Sequence, residues 1–463
     1  MKKPLKLFVV SLLTAFCVSV LAQPKHGMGL IFDDFAYDQV LLKAPLARNE
    51  YVVPARASLK KHTPRPGNQG LYGTCSAWAS AYAARTIIEA QRRGWTNQAY
   101  ITSQAFSPGF IYKLIKVRTD ASCLRGSYIV DALDKMKRLG VPKQRAFNTH
   151  CPKRIPNWVY RQAAPYKITD YVKLFERTAP NHKKIDRVRK SLAEGKPVLF
   201  SMKTPDSFHE QRGKLWQPTE NPALKYGGHA MVVIGYDKHQ YGGAFEIQNS
   251  WGTKWGNGGY IWMKYQDFAN FTKYAFELID EPKQRAAYLP DLSGKVKFVL
   301  ATGGEMQANW TGEQYQMQRA YPSGTRFRLY ISNNEPAYVY AFASDLTGQV
   351  YPIFPHKPDI SPALTYKRNE VPIPDEDHYI AMDNTVGSDF LCVLYAKEVL
   401  DIDAMRWRVA RARGTFAEKV KKALGNQQVA PYNIRYATSE IGFSATSRGK
   451  KVVPLIVETK HIR

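Results

Sequence analysis

The stretch that most restricts the fold of this chain is residues 226–260, YGGHAMVVIGYDKHQYGGAFEIQNSWGTKWGNGGY. Two apolar runs, Ala230 to Tyr236 and Ala244 to Gln248, are bounded by turn-forming residues and read as two strands joined near His239. His229 immediately precedes the first run and Asn249 immediately follows the second. Their numbers are symmetric about position 239, so a hairpin without a net bulge makes them cross-strand neighbours. An asparagine side-chain oxygen there accepts from one imidazole nitrogen and leaves the other to face a further group.

A partner for that imidazole is offered by NQGLYGTCSAW, where Cys75 follows a glycine-rich loop and precedes an alanine-rich run. Thr74 is placed to cap a helix from Cys75 to about Arg93, with Ala77, Ala81, Ala84 and Ile88 on one face and Gly94 as its stop. A thiol in a first helical turn sits where unsatisfied N–H groups and the helix dipole favour negative charge. Its pKa is therefore expected to fall, favouring thiolate. Nucleophile, base and orienting amide are the parts that covalent acyl transfer needs.

Two further helices are expected from Tyr128 to Leu139 and from Ile185 to Glu194, each followed by glycine, with strands over Val198 to Met202, Gly259 to Tyr265 and Tyr274 to Ile279. The segment IDEPKQRAAYLPDLSG carries two prolines and marks a domain boundary near residues 281–295. Beyond it, short alternating runs such as RFRLYISN and AYVYAFASD read as a β-sandwich, interrupted by one helix from Ala404 to Leu424. The fold class is α+β.

The first 22 residues combine a basic start with an apolar run from Leu7 to Leu21 and a small residue at Ala22, the pattern of a cleavable leader. The mature protein is expected to be secreted or periplasmic. Cys17 follows Phe16, a poor fit to a lipoprotein cleavage site. Residues 23–55 read as an N-terminal arm or short propeptide. Given a secretory route, Cys123 and Cys151, in one domain, are expected to form a disulfide, and Cys392 is expected to be buried among apolar neighbours. The charge is +27, from 66 Lys and Arg against 39 Asp and Glu, but the basic residues are dispersed, which argues against specific nucleic-acid binding. Only the stretch after Met405 is locally basic, with Arg406, Arg408, Arg411, Arg413, Lys419, Lys421 and Lys422. It makes an anionic cell-envelope surface a candidate partner. No Cys or His pairs have zinc spacing, and His209-Glu210 lacks the second histidine of a zinc-binding helix, so neither metal nor other cofactor is expected.

Gln69 six residues before Cys75, Gly228-His229-Ala230, and Asn249-Ser250-Trp251-Gly252-Thr253-Lys254-Trp255-Gly256 resemble, in order, the three motif blocks of papain-like cysteine peptidases. The resemblance implies a two-lobed domain over residues 56–282, one lobe helical and one antiparallel β, followed by a β-rich domain over 295–463. It implies hydrolysis of peptide or protein substrates through a thioester. Cys75 would be the nucleophile, His229 the base and later acid, and Asn249 the histidine orienter. Gln69 and the Cys75 N–H would be oxyanion donors, with Trp251 shielding the Asn–His bond. The family's Cys-x-Gly-Gly substrate wall appears as Cys123-Leu124-Arg125-Gly126, which keeps only Gly126. Arg125 then narrows the cleft, favours acidic substrate groups or points to solvent. Met202, Phe208 and Met231 are candidates for apolar pocket walls. Tyr72 stands where the family commonly has cysteine and Ser76 where it has tryptophan, which leaves substrate preference open. Two alternatives stay beside the peptidase reading: amide-bond transfer or narrow processing at the same site, and a non-catalytic binding protein on a papain-like scaffold. The C-terminal region resembles an uncharacterised β-rich domain attached to bacterial secreted peptidases and kinases, the cue being ISNNEPAYVYAFASDLTGQVYPIFP.

Overall fold

Residues 75–93 run as one helix in the computed structural model, which describes residues 26–47, 53–280, 290–345, 347–365 and 369–463. The expected leader, Cys17 within it, and most of the proposed linker lie outside the described residues. The helix is α-helical over Cys75–Ala77 and Thr86–Arg93 and widens to a π-helix over Trp78–Arg85 between them. Ala77, Ala81 and Ala84 are fully buried, and these small side chains let the helix lie close to the strand Gly227–Asp237. Gly94 closes it in the left-handed region, at φ 69°. Thr74 holds the N-cap position, but its hydroxyl is buried and makes no capping bond, so the expected cap does not form.

The sheet facing this helix runs Asp170–Lys173, Thr272–Ile279, Val198–Thr204, Gly227–Asp237, Ala244–Gln248, Tyr260–Lys264 and Leu215–Trp216, antiparallel except for the last pair. Two local expectations are corrected here. The first strand of the hairpin begins at Gly227, so His229 lies inside it rather than before it. The hairpin also contains a bulge: Val233 faces Ile247, the register slips at Ile234, and Gly235 faces Glu246. The turn is also centred beyond His239, with Asp237 facing Ala244, and with the extra residue of the bulge the ladder ends with Val232 facing Gln248, so His229 and Asn249 are diagonal rather than direct neighbours.

Helices also form over Gln98–Ser103, Pro108–Ile115, Asn157–Ala163 and Tyr265–Phe271, where none was expected. Helix Ile129–Leu139 starts one residue later than expected and Asn181–Ala193 four residues earlier. Cys123 and Cys151 are joined as a disulfide.

The C-terminal region is built on two sheets. One is ordered around Val452–Ile462, Gly387–Ala396 and Ala337–Ser344, the other around Arg326–Asn333, Leu292–Leu300 and Gly442–Ala445. Val296, Leu329 and Ile331 from one sheet and Val339, Val393 and Leu455 from the other share a single apolar core. The outer face of the first sheet is covered by helices Ile402–Arg411 and Phe416–Leu424, whose Met405, Val409, Phe416 and Val420 pack on Phe342, Cys392 and Leu394. The single helix expected there is broken at Gly414, which has φ +117°. Arg408, Arg411, Arg413, Lys421 and Lys422 lie on the exposed side of this pair and its connection. No helix among the described residues is long and apolar enough to cross a membrane.

Residues 26–47 are not a loose arm. They cross the groove between the cysteine helix and the sheet, form a helix over Asp34–Gln39 capped by Asp33, and continue between the two domains.

Candidate active site

Cys75 opens its helix beneath the strand that carries His229, and the N–H of Ala230, next to that histidine, bonds to the thiol. His229 Nε2 donates to Asn249 Oδ1 at 2.8 Å, so the diagonal offset in register still lets the amide reach the ring. Nδ1 makes no hydrogen bond. Trp251 stacks on the imidazole with centroids 4.4 Å apart. Gln69 is oriented by Ser250, whose hydroxyl donates to its Oε1 at 2.6 Å. The amide nitrogen of Gln69 is thereby fixed as a donor.

That donor is already engaged. Gln69 Nε2 lies 3.0 Å from the carbonyl oxygen of Gly27, 3.1 Å from that of Met28 and 2.9 Å from that of Tyr72. Trp251 Nε1 donates to Gly27 O at 2.8 Å, and His26 stacks on the indole. On the far side of the groove the N–H of Leu30 donates to Gly228 O, and Ile31 N–H and Gly29 O pair with the two backbone groups of Ser127. The arm thus joins the Gly126–Ser127 wall to the histidine strand and uses hydrogen-bond positions on both. Gly126 must be glycine, because a Cβ there would stand 2.2 Å from Gly29 O.

Burial under the arm reverses the electrostatics expected from helix position alone. Loss of solvent pushes the Cys75 thiol up to about 12 despite N–H bonds from Ala230 and Ser76 that favour the anion. Burial likewise pulls His229 down to about 3, only partly offset by Asn249. The expectation of a lowered thiol pKa is corrected for this closed state: the site holds a neutral thiol and a neutral imidazole.

The signs give a testable pH window. The lowered His229 contributes to closure above its ordinary value of 6.5, and this is lost as pH falls toward 3. The raised Cys75 contributes below its ordinary value of 9.0, and this is lost as pH climbs toward 12. His26 and His209, whose charges oppose that of His229, strengthen the acid limb. Amide hydrogen exchange at Leu30 and Ile31, corrected for intrinsic rate, is expected to show greatest protection between these limits. Protection that stays flat from pH 4 to pH 10 would refute it.

Of the proposed pocket residues, Met202 faces His229 across the ladder and is fully buried. Met231 faces Phe200 in the same core. Phe208 is fully buried and packs on Trp251, Trp255 and Trp216. Arg125 turns to Thr119, with Nη1 to Oγ1 at 2.8 Å, on an exposed loop. Ser250 and His209, which stacks on Trp251, were missed by sequence reasoning. Ser250 carries a signal in its position between Asn249 and Trp251; His209 carries none that periodicity reveals.

Comparison with known proteins places this geometry in context. Residues 60–276 match the model described as papain family cysteine protease, and residues 320–398 match a domain of unknown function, DUF4384. Among curated proteins, an uncharacterized peptidase C1-like protein of Acanthamoeba polyphaga mimivirus is 24% identical over 44% of this chain and 65% of its own length. Ananain of Ananas comosus is 25% identical over 42% of this chain and 50% of its own length. The chain therefore spans less than two thirds of these relatives. Among solved structures, xylellain, a cysteine protease from Xylella fastidiosa, is similar with TM-score 0.46 and 22% identity, over 57% of this chain and all of that one. By these matches the chain carries a papain-family cysteine protease domain, followed by a separate DUF4384 domain.

Proposed function

We propose that this protein is a cysteine peptidase kept latent by its own N-terminal arm. The observation that carries the reading is the dual state of Gln69: Ser250 fixes its amide as a donor, and that donor is shared between the carbonyl of Tyr72 and the arm carbonyls of Gly27 and Met28. A preformed donor aimed into a groove is what an oxyanion needs, and a carbonyl of the chain itself in that place excludes substrate. With the arm withdrawn, water reaches the thiol and the imidazole, and the two pKa values return toward their ordinary ranges, so that a proton can pass from Cys75 to His229. The thiolate attacks the scissile carbonyl, and the developing oxyanion is held by Gln69 and the Cys75 N–H. His229 then protonates the leaving amine, and water hydrolyses the thioester. Asn249 holds the ring through Nε2, which leaves Nδ1 as the proton carrier. Export through residues 1–22 belongs to the same proposal.

Gln69→Ala separates the two uses of the amide. In the intact chain it removes bonds that hold the arm, so alkylation of Cys75 by iodoacetamide is expected to quicken. Once the arm has been released, kcat on a peptide substrate is expected to fall about 10² to 10³-fold with a smaller change in KM. Unchanged kcat would remove Gln69 from the mechanism, and unchanged alkylation would mean that the amide does not hold the arm.

A further inference from the structure

The second half of the arm is bound by a different part of the molecule. Residue Leu42 is paired on both sides, with Lys173 at the edge of the protease-domain sheet and with Ile360 of the C-terminal domain. Its N–H donates to Asp359 O at 2.7 Å, its carbonyl accepts from Ser361 N–H at 2.9 Å, and Ala47 N–H donates to Glu370 O at 2.8 Å. The side chains of Ala44 and Leu46 belong to the core of the C-terminal domain, packed in one cluster with Ile360, Leu364 and Val371. Ala44 is fully buried.

Between these points lies a buried polar junction. The ammonium of Lys43 bonds to Glu277 at 2.5 Å and approaches Glu194 at 3.4 Å. Glu277, itself fully buried, also accepts from Ser191 and, at 3.0 Å, from Thr365 of the C-terminal domain. One carboxylate therefore ties together the arm, a protease-domain helix and the C-terminal domain. The two domains meet directly as well, where Val172 and Ile279 join a cluster with Tyr338 and Tyr340. Asp359, Ile360, Ser361, Thr365 and Glu370 all fall within the stretch that matches the domain of unknown function.

We propose that the C-terminal domain is the intramolecular receptor for the arm, holding residues 42–47 so that residues 26–31 stay in the groove over Cys75. The assignment rests on reading the arm as an inhibitor, and it goes further by giving the unassigned domain a task. The physical reason is tethering: a segment held at residues 42–47 is presented to the groove at higher effective concentration than one tethered only through the strand Arg56–Ser58, because the shorter free span loses less entropy on docking. Between the two ends the helix Asp34–Gln39 is docked on the protease domain, where Tyr37 is buried against Tyr274 and bonds to Phe175 O at 2.6 Å and Asp34 and Asp38 pair with Arg177.

The test uses the full chain bearing Ala44→Asp, which puts an unmatched carboxylate into the receptor core and leaves every groove contact untouched. Hydrogen exchange at Leu30 and Ile31 is expected to accelerate at least tenfold, with Cys75 alkylation rising in parallel, while amides of Gly387–Ala396 keep their protection as evidence that the receptor remains folded. Leu46→Ser, a milder change at the same contact, is expected to give a smaller acceleration in the same direction and decides the matter if Ala44→Asp does not fold. Rapid exchange at Leu42 and Ala47 with unchanged exchange at Leu30 and Ile31 would overturn the proposal, because the groove half would then be held without the C-terminal domain. Neither readout needs peptide hydrolysis, so failure of the receptor role and failure of the peptidase reading are told apart.

Discussion

Alanine at position 75 is expected to abolish peptide hydrolysis, lowering kcat by 10⁴-fold or more, the order seen when the nucleophile of a covalent mechanism is removed. The argument is one of place. No other free cysteine in the described residues lies near an imidazole: Cys392 is buried in the C-terminal domain, between the sheet and its covering helices. Cys75→Ala removes one sulfur from a fully buried site, so the destabilisation expected is about 1 kcal/mol and the thermal transition should shift by only a few degrees. The measurement has to be made with the arm displaced, since the intact chain begins from a closed groove. Turnover within tenfold of the parent would eliminate Cys75 as the nucleophile.

Gly29→Val is expected to open the groove and raise the rate of Cys75 alkylation about 10²-fold. Gly29 has φ +112°, a conformation that side chains rarely adopt, and a Cβ built there would lie 2.3 Å from Gly73 O. Gly73 cannot yield: it donates its N–H to Cys123 O at 2.7 Å and stands two residues before Cys75. The arm is what has to move, and a displacement energy of about 3 kcal/mol converts to about 10² in the open population. Peptide hydrolysis should rise with alkylation. If alkylation rises and hydrolysis does not, the groove has been opened without a working catalyst; if neither changes, the arm is not the barrier to the thiol.

How far the sequence carried this picture varies from element to element. The cysteine helix was legible because its alanines repeat with helical spacing and glycine follows it. The strands around His229 were legible from their apolar runs. The bulge at Ile234 was not, because an added residue leaves composition and alternation almost unchanged. Helix Pro108–Ile115 carried a usable signal in Ser107-Pro108, where the serine accepts from Phe110 N–H at 3.2 Å and proline takes the first turn. The break in the C-terminal helices was likewise written in Gly414-Thr415 with Glu418, a reciprocal capping box. The thiol pKa is a different case. Helix position argues for a low value and burial wins, because the covering segment comes from residues far away in the chain, and local pattern says nothing about where a distant segment docks.

The double pairing of Leu42 also sets an order of assembly. The arm is made first on the ribosome, but its sites are made much later: Gln69 and Trp251 form the near part of its bed, and Asp359 to Glu370 form the far part. Contacts between such distant positions close late, because the loop between them has to be collapsed before they can form. Chain growth thus passes through a stage in which Cys75, His229 and Asn249 exist and residues 359–370 do not. During that interval the arm is held by protease-domain contacts alone, those in the groove, those of Tyr37, the ion pairs of Asp34 and Asp38 with Arg177 and that of Lys43 with Glu277, so a nascent chain paused before residue 359 would be the least guarded form of the protein.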